Sequence, residues 1–206
     1  MPIHDFTSER LFVDAALAAD CSVVCTPEQF NYLVNVLRMK AGAELLVFNG
    51  RDGEWRARLE PTGKKAARLD LLVQTRPQTA GPDLDYLFAP LKHARLDYMV
   101  QKATEMGASR LRPVLTRHTV AERVNLDRMR ANVIEAAEQC GILRVPEVLE
   151  PQKLVVVLEQ WEPSRTLIFC DENADVANPV TGPRILRADT AAVAALALVN
   201  AVIGDC

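Results

Sequence analysis

A chain of 206 residues with 49% apolar and 25% charged side chains can bury the core of one large domain or two small ones. A formal net charge of -3 excludes a uniformly basic polyanion binder, so any nucleic-acid surface must be local. Five cysteines without a C-x-x-C pair argue against a disulfide framework or a zinc site, Met1 to Arg10 lacks the apolar core of a signal peptide, and the longest apolar run, Ala191 to Val199, is too short to span a bilayer; a soluble, cytoplasmic chain with no membrane partner is expected.

Thr26-Pro27-Glu28 opens a helix with a capping residue and proline at N1. Phe30, Leu33, Val34 and Leu37 repeat at helical spacing, and Gly42 is the expected stop. Strands are predicted next. Leu45 to Phe48 is a short apolar run, Asn49-Gly50 and Asp52-Gly53 are turn dipeptides, and Glu54 to Leu59 alternates, with Trp55, Ala57 and Leu59 on one face and Arg56 and Arg58 on the other. A third strand, Arg68 to Val73, completes a small antiparallel β-barrel or sandwich spanning residues 1–75. Pro77, Gly81 and Pro82 mark residues 76–83 as linker.

From residue 84 to 206 the pattern becomes α/β. Strands at Tyr86 to Leu91, Leu111 to Leu115 and Thr166 to Cys170 alternate with helices at Leu96 to Met106, Leu126 to Cys140 and Lys153 to Trp161, and a helix from Thr190 to Val202 ends the series. Gly107 stops the first of these helices, while Asn125 and Gly141 bracket the second.

Basic residues concentrate in two runs. Arg51 to Arg68 carries net charge +3, through Arg56, Arg58, Lys64 and Lys65 among others, and Arg110 to Arg130 carries +4. Each is either an RNA-binding surface or an ordinary solvated face. A parallel sheet places ligands beyond the carboxyl ends of its strands, which points to Lys92, His93 and Arg95, to Thr116, Arg117 and His118, and to Asp171 and Glu172. Lys102 and Glu105 have the spacing of a helical ion pair, and Glu135, Glu138 and Gln139 cluster on one helix face, as solvated residues or as clamps for a partner's arginine. His4, His93 and His118 show no metal-ligand spacing, and dinucleotide, P-loop and serine-hydrolase motifs are absent.

Five segments, in this order, carry a resemblance: Glu9-Arg10-Leu11-Phe12, Val36-Leu37-Arg38-Met39-Lys40-Ala41-Gly42, Val100-Gln101-Lys102-Ala103-Thr104-Glu105-Met106-Gly107, Glu135-Ala136-Ala137-Glu138-Gln139 and Gly182-Pro183-Arg184-Ile185-Leu186-Arg187-Ala188-Asp189-Thr190-Ala191. Together they resemble the small-subunit (16S) ribosomal RNA uridine-N3 methyltransferases of the SPOUT superfamily. The resemblance implies an N-terminal PUA-like barrel that holds rRNA, a C-terminal α/β domain with a mainly parallel sheet and a deep trefoil knot, S-adenosyl-L-methionine as methyl donor, and a homodimer. It also implies the site. Asp171, Glu172, Ile185, Leu186, Arg187 and Thr190 would hold the cofactor; Arg117, Lys92 and Arg10 would contact uracil or phosphate; Arg38, Arg56, Arg58, Lys64 and Lys65 would bind RNA; Glu138 and Gln139 would order the interface and cofactor loops. No general base is assigned.

The sequence departs from the family at one place. Between Asp171-Glu172 and Gly182-Pro183-Arg184 the family has a strand ending in an I-G-P-E-G-G loop and then a helix, whereas only Asn173 to Thr181 lies there. The expectation is that residues were left out between Val180 and Thr181. The competing reading is a non-catalytic RNA-binding or ribosome-assembly protein with a degenerate cofactor site; a related knotted enzyme acting on tRNA or a ribose hydroxyl is the third.

Overall fold

Alternating side chains and two glycine turns build the first sheet. In the computed structural model, which describes residues 5, 7–92, 94–119, 123–170 and 186–203, the chain divides into two units: Met1–Ala80 with Ala137–Val145, and Gly81–Ala136 with Pro146–Cys206. The first unit holds β1 (Arg10–Phe12), β2 (Ser22–Val24), α1 (Pro27–Phe30), β3 (Glu44–Phe48), β4 (Glu54–Gly63) and β5 (Ala66–Arg76). The strands form one sheet in the order β1-β3-β4-β5-β2, in which β1 runs parallel to β3 and the other pairings are antiparallel.

Trp55, Ala57 and Leu59 of β4 are buried with Leu45 and Val47 of β3 and Leu69 and Leu71 of β5. The unbroken apolar run of β3 reflects burial on both faces, because Phe48, two residues on from Leu46, packs instead against Ala137 and Leu143 of the returning segment. That return was not expected from the sequence.

Thr26 makes a reciprocal capping box with Gln29: the Thr26 hydroxyl accepts the Gln29 N–H at 3.2 Å and the Gln29 side chain accepts the Thr26 N–H at 2.9 Å. The helix widens to π geometry over Asn31–Val36 and ends before the predicted stop. Arg38, at φ 56°, takes the left-handed position usually filled by glycine, and the Met39 N–H closes on the Leu33 carbonyl at 2.9 Å. Gly42 serves the next turn instead, its N–H bonding the Leu59 carbonyl at 2.9 Å. Because a left-handed arginine is strained, Arg38→Gly is expected to raise stability by about 0.5–1 kcal/mol in urea denaturation.

The second unit contains β6 (Asp85–Phe88), α2 (Ala94–Glu105), β7 (Arg110–Leu115), α3 (Leu126–Gln139), β8 (Glu147–Val148), β9 (Gln152–Lys153), α4 (Leu154–Glu159) and α5 (Ala188–Ile203), α3 reaching the unit border at its carboxyl end. β6 and β8 flank β7, which also pairs with β9, all in parallel. Met99, Val100 and Ala103 of α2 are buried, and the Asn200 side chain of α5 donates to the Met106 carbonyl at 2.8 Å. Asn125 caps α3 by accepting the Arg128 N–H at 3.0 Å, and Gly141 is left-handed at φ 69°, as expected.

Thr166 to Cys170 does not form the predicted strand, and Ile168 and Phe169 are exposed. Strand propensity is realised only against a neighbour, and no strand among the described residues pairs with this one. No helix among the described residues is long and apolar enough to cross a membrane.

Candidate active site and basic surfaces

Parallel register puts two of the predicted cations beyond the same edge of the sheet. Phe88 of β6 stands opposite Pro113 of β7, so Lys92 and Arg117, each four residues further on, both follow the carboxyl edge of the sheet. Both are exposed, and neither has an ion-pair partner among the described residues. The turn carrying Arg117 is fixed locally: the Thr116 N–H donates to the Thr119 hydroxyl at 2.7 Å, and the Thr119 N–H returns to the Thr116 carbonyl at 3.2 Å. Lys153, opposite Leu115 in register, adds an exposed cation at the same edge that sequence reasoning missed. The parallel pairing of a two-residue strand is invisible in composition.

Tyr86 lies in β6 with its ring 5.2 Å from Phe88 and its hydroxyl 3.3 Å from Met99 Sδ. Burial, and then the electrostatic influence of neighbouring Cys170, push the Tyr86 phenol far above its ordinary range, so it remains protonated and cannot serve as a base.

Arg10 is corrected. Its side chain is 6% exposed, its Nε donates to Glu54 at 2.8 Å, and its Nη groups donate to the carbonyls of Ala137, Glu138 and Ile142. A guanidinium used in this way, lying 4.3 Å from the centre of the Phe48 ring, holds the returning segment and cannot reach uracil or phosphate. Glu138 accepts the Phe12 N–H at 2.8 Å, so one carboxylate oxygen orders this chain's own β1. Gln139, the last residue of α3, adjoins it.

Of the cofactor candidates, Asp171, Glu172 and Ile185 lie outside the described residues, as do His4, His93, Val180 and Thr181. Leu186 is half-buried, and Arg187 and Thr190 are exposed at the start of α5, where the Ala191 N–H bonds the Arg187 carbonyl at 2.7 Å. A half-buried apolar residue beside backbone groups suits an adenine slot, so this part of the set fits the cofactor.

The basic runs separate into neutralised and unpartnered members. Arg56 faces Asp5 at 3.7 Å and Glu44 at 3.6 Å, Arg58 faces Glu44 at 3.6 Å, and Arg68 is bound to Asp70 at 2.8 Å. Arg38, Lys64 and Lys65 are exposed and have no ion-pair partner among the described residues. Lys64 and Lys65 form the β4-β5 turn, and Arg38 precedes Gly42, whose N–H bonds the Leu59 carbonyl within β4. In the second run, Arg110, Arg112, Arg128 and Arg130 all form ion pairs, so the expected +4 surface shrinks to Arg117 and Arg123. Lys102 and Glu105 form the expected helical pair at 2.7 Å.

The chain matches the RNA methyltransferase domain model over residues 79–181 and the RNA methyltransferase PUA domain model over residues 26–72. Ribosomal RNA small subunit methyltransferase E of Rickettsia conorii is 26% identical over 173 residues, covering 83% of this chain and 70% of that protein. The protein of the same name from Synechocystis is 28% identical over 236 positions, covering 94% of this chain and 78% of its own length. That alignment is longer than the 206-residue chain, so it places gaps opposite many of the relative's residues; Val180 and Thr181, between which left-out residues were expected, lie outside the described residues. A crystal structure of ribosomal RNA small subunit methyltransferase E from Neisseria gonorrhoeae bound to S-adenosyl methionine superimposes with a TM-score of 0.78 at 22% identity, covering 95% of this chain and 98% of that one. At that identity the likeness is one of fold. With a methyltransferase domain behind a PUA domain, the chain belongs to the family of RNA methyltransferases that carry both.

Proposed function

We propose that the chain methylates N3 of a uridine in small-subunit (16S) ribosomal RNA, as a cytoplasmic homodimer with S-adenosyl-L-methionine as cofactor, a PUA-like barrel in its first unit and a trefoil knot in its second. The observation that carries this reading is that two exposed cations without an ion-pair partner among the described residues, Lys92 and Arg117, each lie four residues beyond paired residues of adjacent strands, past the carboxyl edge of the parallel sheet of an RNA methyltransferase domain. The cofactor, when bound, supplies an electrophilic methyl group. This chain's residues supply position and charge: Lys92 and Arg117 favour the uracil anion left when N3 loses its proton, and Arg38, Lys64 and Lys65 hold the RNA backbone. Leu186, Arg187 and Thr190, together with Asp171, Glu172 and Ile185, would hold the cofactor, and Glu138 and Gln139 would order the dimer interface.

Transfer of labelled methyl groups to small-subunit rRNA, mapped by mass, tests the reading. Arg117→Ala is expected to lower kcat by about 10²-fold with stability unchanged, the loss typical of one oriented charge at a developing anion; unaltered turnover would remove Arg117 from the site. For RNA, Lys64→Ala/Lys65→Ala is expected to weaken binding and reduce the salt slope by about two, while Arg56→Ala/Arg58→Ala, already balanced by Glu44 and Asp5, changes it less. Equal slopes would refute that division.

A second reading, a non-catalytic RNA-binding or assembly protein, is favoured by the nine residues Asn173 to Thr181 standing where the family has a loop, a strand and a helix. Calorimetric titration with S-adenosylhomocysteine separates the two, since the enzyme binds with defined stoichiometry and the degenerate protein produces no heat.

A further inference from the structure

We propose that the second unit carries a base-binding pocket, separate from the carboxyl edge, that takes one unpaired RNA base; the inference rests on the reading of the chain as an RNA-modifying protein. The cavity holds about 250 Å³ and lies where β6 and β9 begin, beneath the end of α4 and the turn after it. Pockets for drug-sized ligands run from about 300 to 1,000 Å³, so this one has room for a single flat group and little more.

Its lining is chemically specific. Arg112 and Arg165 are opposed by Asp85 and Glu162, so the charges cancel, and a free phosphate gains nothing there that water does not offer. What remains suits an uncharged, planar, hydrogen-bonding heterocycle. Trp161 contributes its ring, with the Arg165 guanidinium 5.8 Å from the ring centre; aromatic rings and guanidinium planes are the surfaces on which unpaired bases stack. The indole N–H is already used, donating to the Arg165 carbonyl at 3.0 Å, which leaves the ring itself for contact.

Hydrogen-bonding capacity surrounds that ring. The side-chain amides of Gln152 and Gln160 have no partner among the described residues. Arg112 bonds Asp85 through Nε alone, and Arg165 reaches Asp83 and Asp85 through Nη2 alone. Amides and the remaining guanidinium donors can read the oxygen and nitrogen edge of a base. Asp85, 2% exposed, holds both arginines in place before any ligand arrives.

The chain carries two tryptophans, and Trp55 is buried in the first unit, so Trp161 fluorescence reports on this pocket. Titration with uridine 5′-monophosphate and with a short single-stranded oligoribonucleotide is expected to give saturable quenching. Quenching should vanish in Trp161→Phe and weaken about tenfold in Gln152→Ala/Gln160→Ala, whose thermal unfolding should match the parent. Inorganic phosphate should not compete. Quenching that is absent, that persists in Trp161→Phe, or that is displaced by phosphate as readily as by nucleotide overturns the pocket. Quenching by the oligonucleotide alone keeps the proposal for RNA, and equal response to the free nucleotide extends it to nucleosides. Methyl transfer to rRNA is measured on the same preparations: transfer without quenching sinks this inference alone, whereas quenching without transfer sinks the enzyme reading and leaves the pocket.

Discussion

Arg10→Ala is expected to lower the unfolding free energy by about 3–5 kcal/mol, the range found when one partner of a buried ion pair is removed. The Arg10 and Glu54 side chains are 6% and 4% exposed, so neither charge can turn to water when the other is lost. Truncation also strips hydrogen bonds from the carbonyls of Ala137, Glu138 and Ile142, and removes the cation from above the Phe48 ring. Arg76 limits the damage. It donates to Glu54 at 2.6 Å and to the Gly141 carbonyl at 2.8 Å, so the carboxylate keeps one guanidinium and the returning segment one anchor. Urea denaturation measures the loss, and hydrogen exchange at Ile142 and Val145 should rise first. A loss below about 1 kcal/mol would show that Arg10 is not the staple described. Arg10→Lys separates structure from substrate contact: a lysine keeps the charge but not the fork, so it should cost stability whether or not RNA is present.

The same network sets an acid limit. Burial raises the Glu54 pKa, but hydrogen bonds from Arg76, Thr75 and Arg10 outweigh it and hold the carboxyl below its ordinary 4.5. A carboxyl depressed in the folded state contributes fully above its unfolded value, and that contribution is lost as pH falls through the folded value. The parent should therefore begin to lose this stability below about pH 4.5, and Arg10→Ala, by weakening the depression, should move its acid transition to higher pH.

Local features were legible in the sequence, and long-range ones were not. Alternation at Glu54 to Leu59 placed Trp55, Ala57 and Leu59 inside, and the Asn125 and Gly141 signals marked the limits of α3, because each depends on neighbours a few residues away. The return of Ala137–Val145 to the first unit depends on guanidinium groups at positions 10 and 76, whose partners no local pattern can name. Arg10 was read as a substrate contact for the same reason: a motif states a residue type but not its burial. The position of Lys92 and Arg117 past the strand ends was legible because the strand-end rule is topological, while Lys153 and the Asp85 cluster required the register of β7 with its neighbours.

That cluster carries the other large expected effect. Asp83 and Asp85 stand two residues apart and share arginines: Arg110 and Arg165 reach both, and Arg112 reaches Asp85 at 2.6 Å. The side chain of Asp83 is 69% exposed, whereas that of Asp85 is 2% exposed. Coulombic contact alone would predict similar effects from the two, but solvent decides otherwise. Asp83→Asn should cost less than about 1 kcal/mol, because water and salt screen an exposed pair. Asp85→Asn keeps the shape but removes the only buried negative charge among three guanidinium groups, and should cost about 3–5 kcal/mol. Raising the salt concentration should recover little of that loss, since the charges at Asp85 lie where ions penetrate poorly. Equal costs for the two variants, read from urea midpoints at matched slope, would show that proximity to the arginines, rather than burial, governs the cluster.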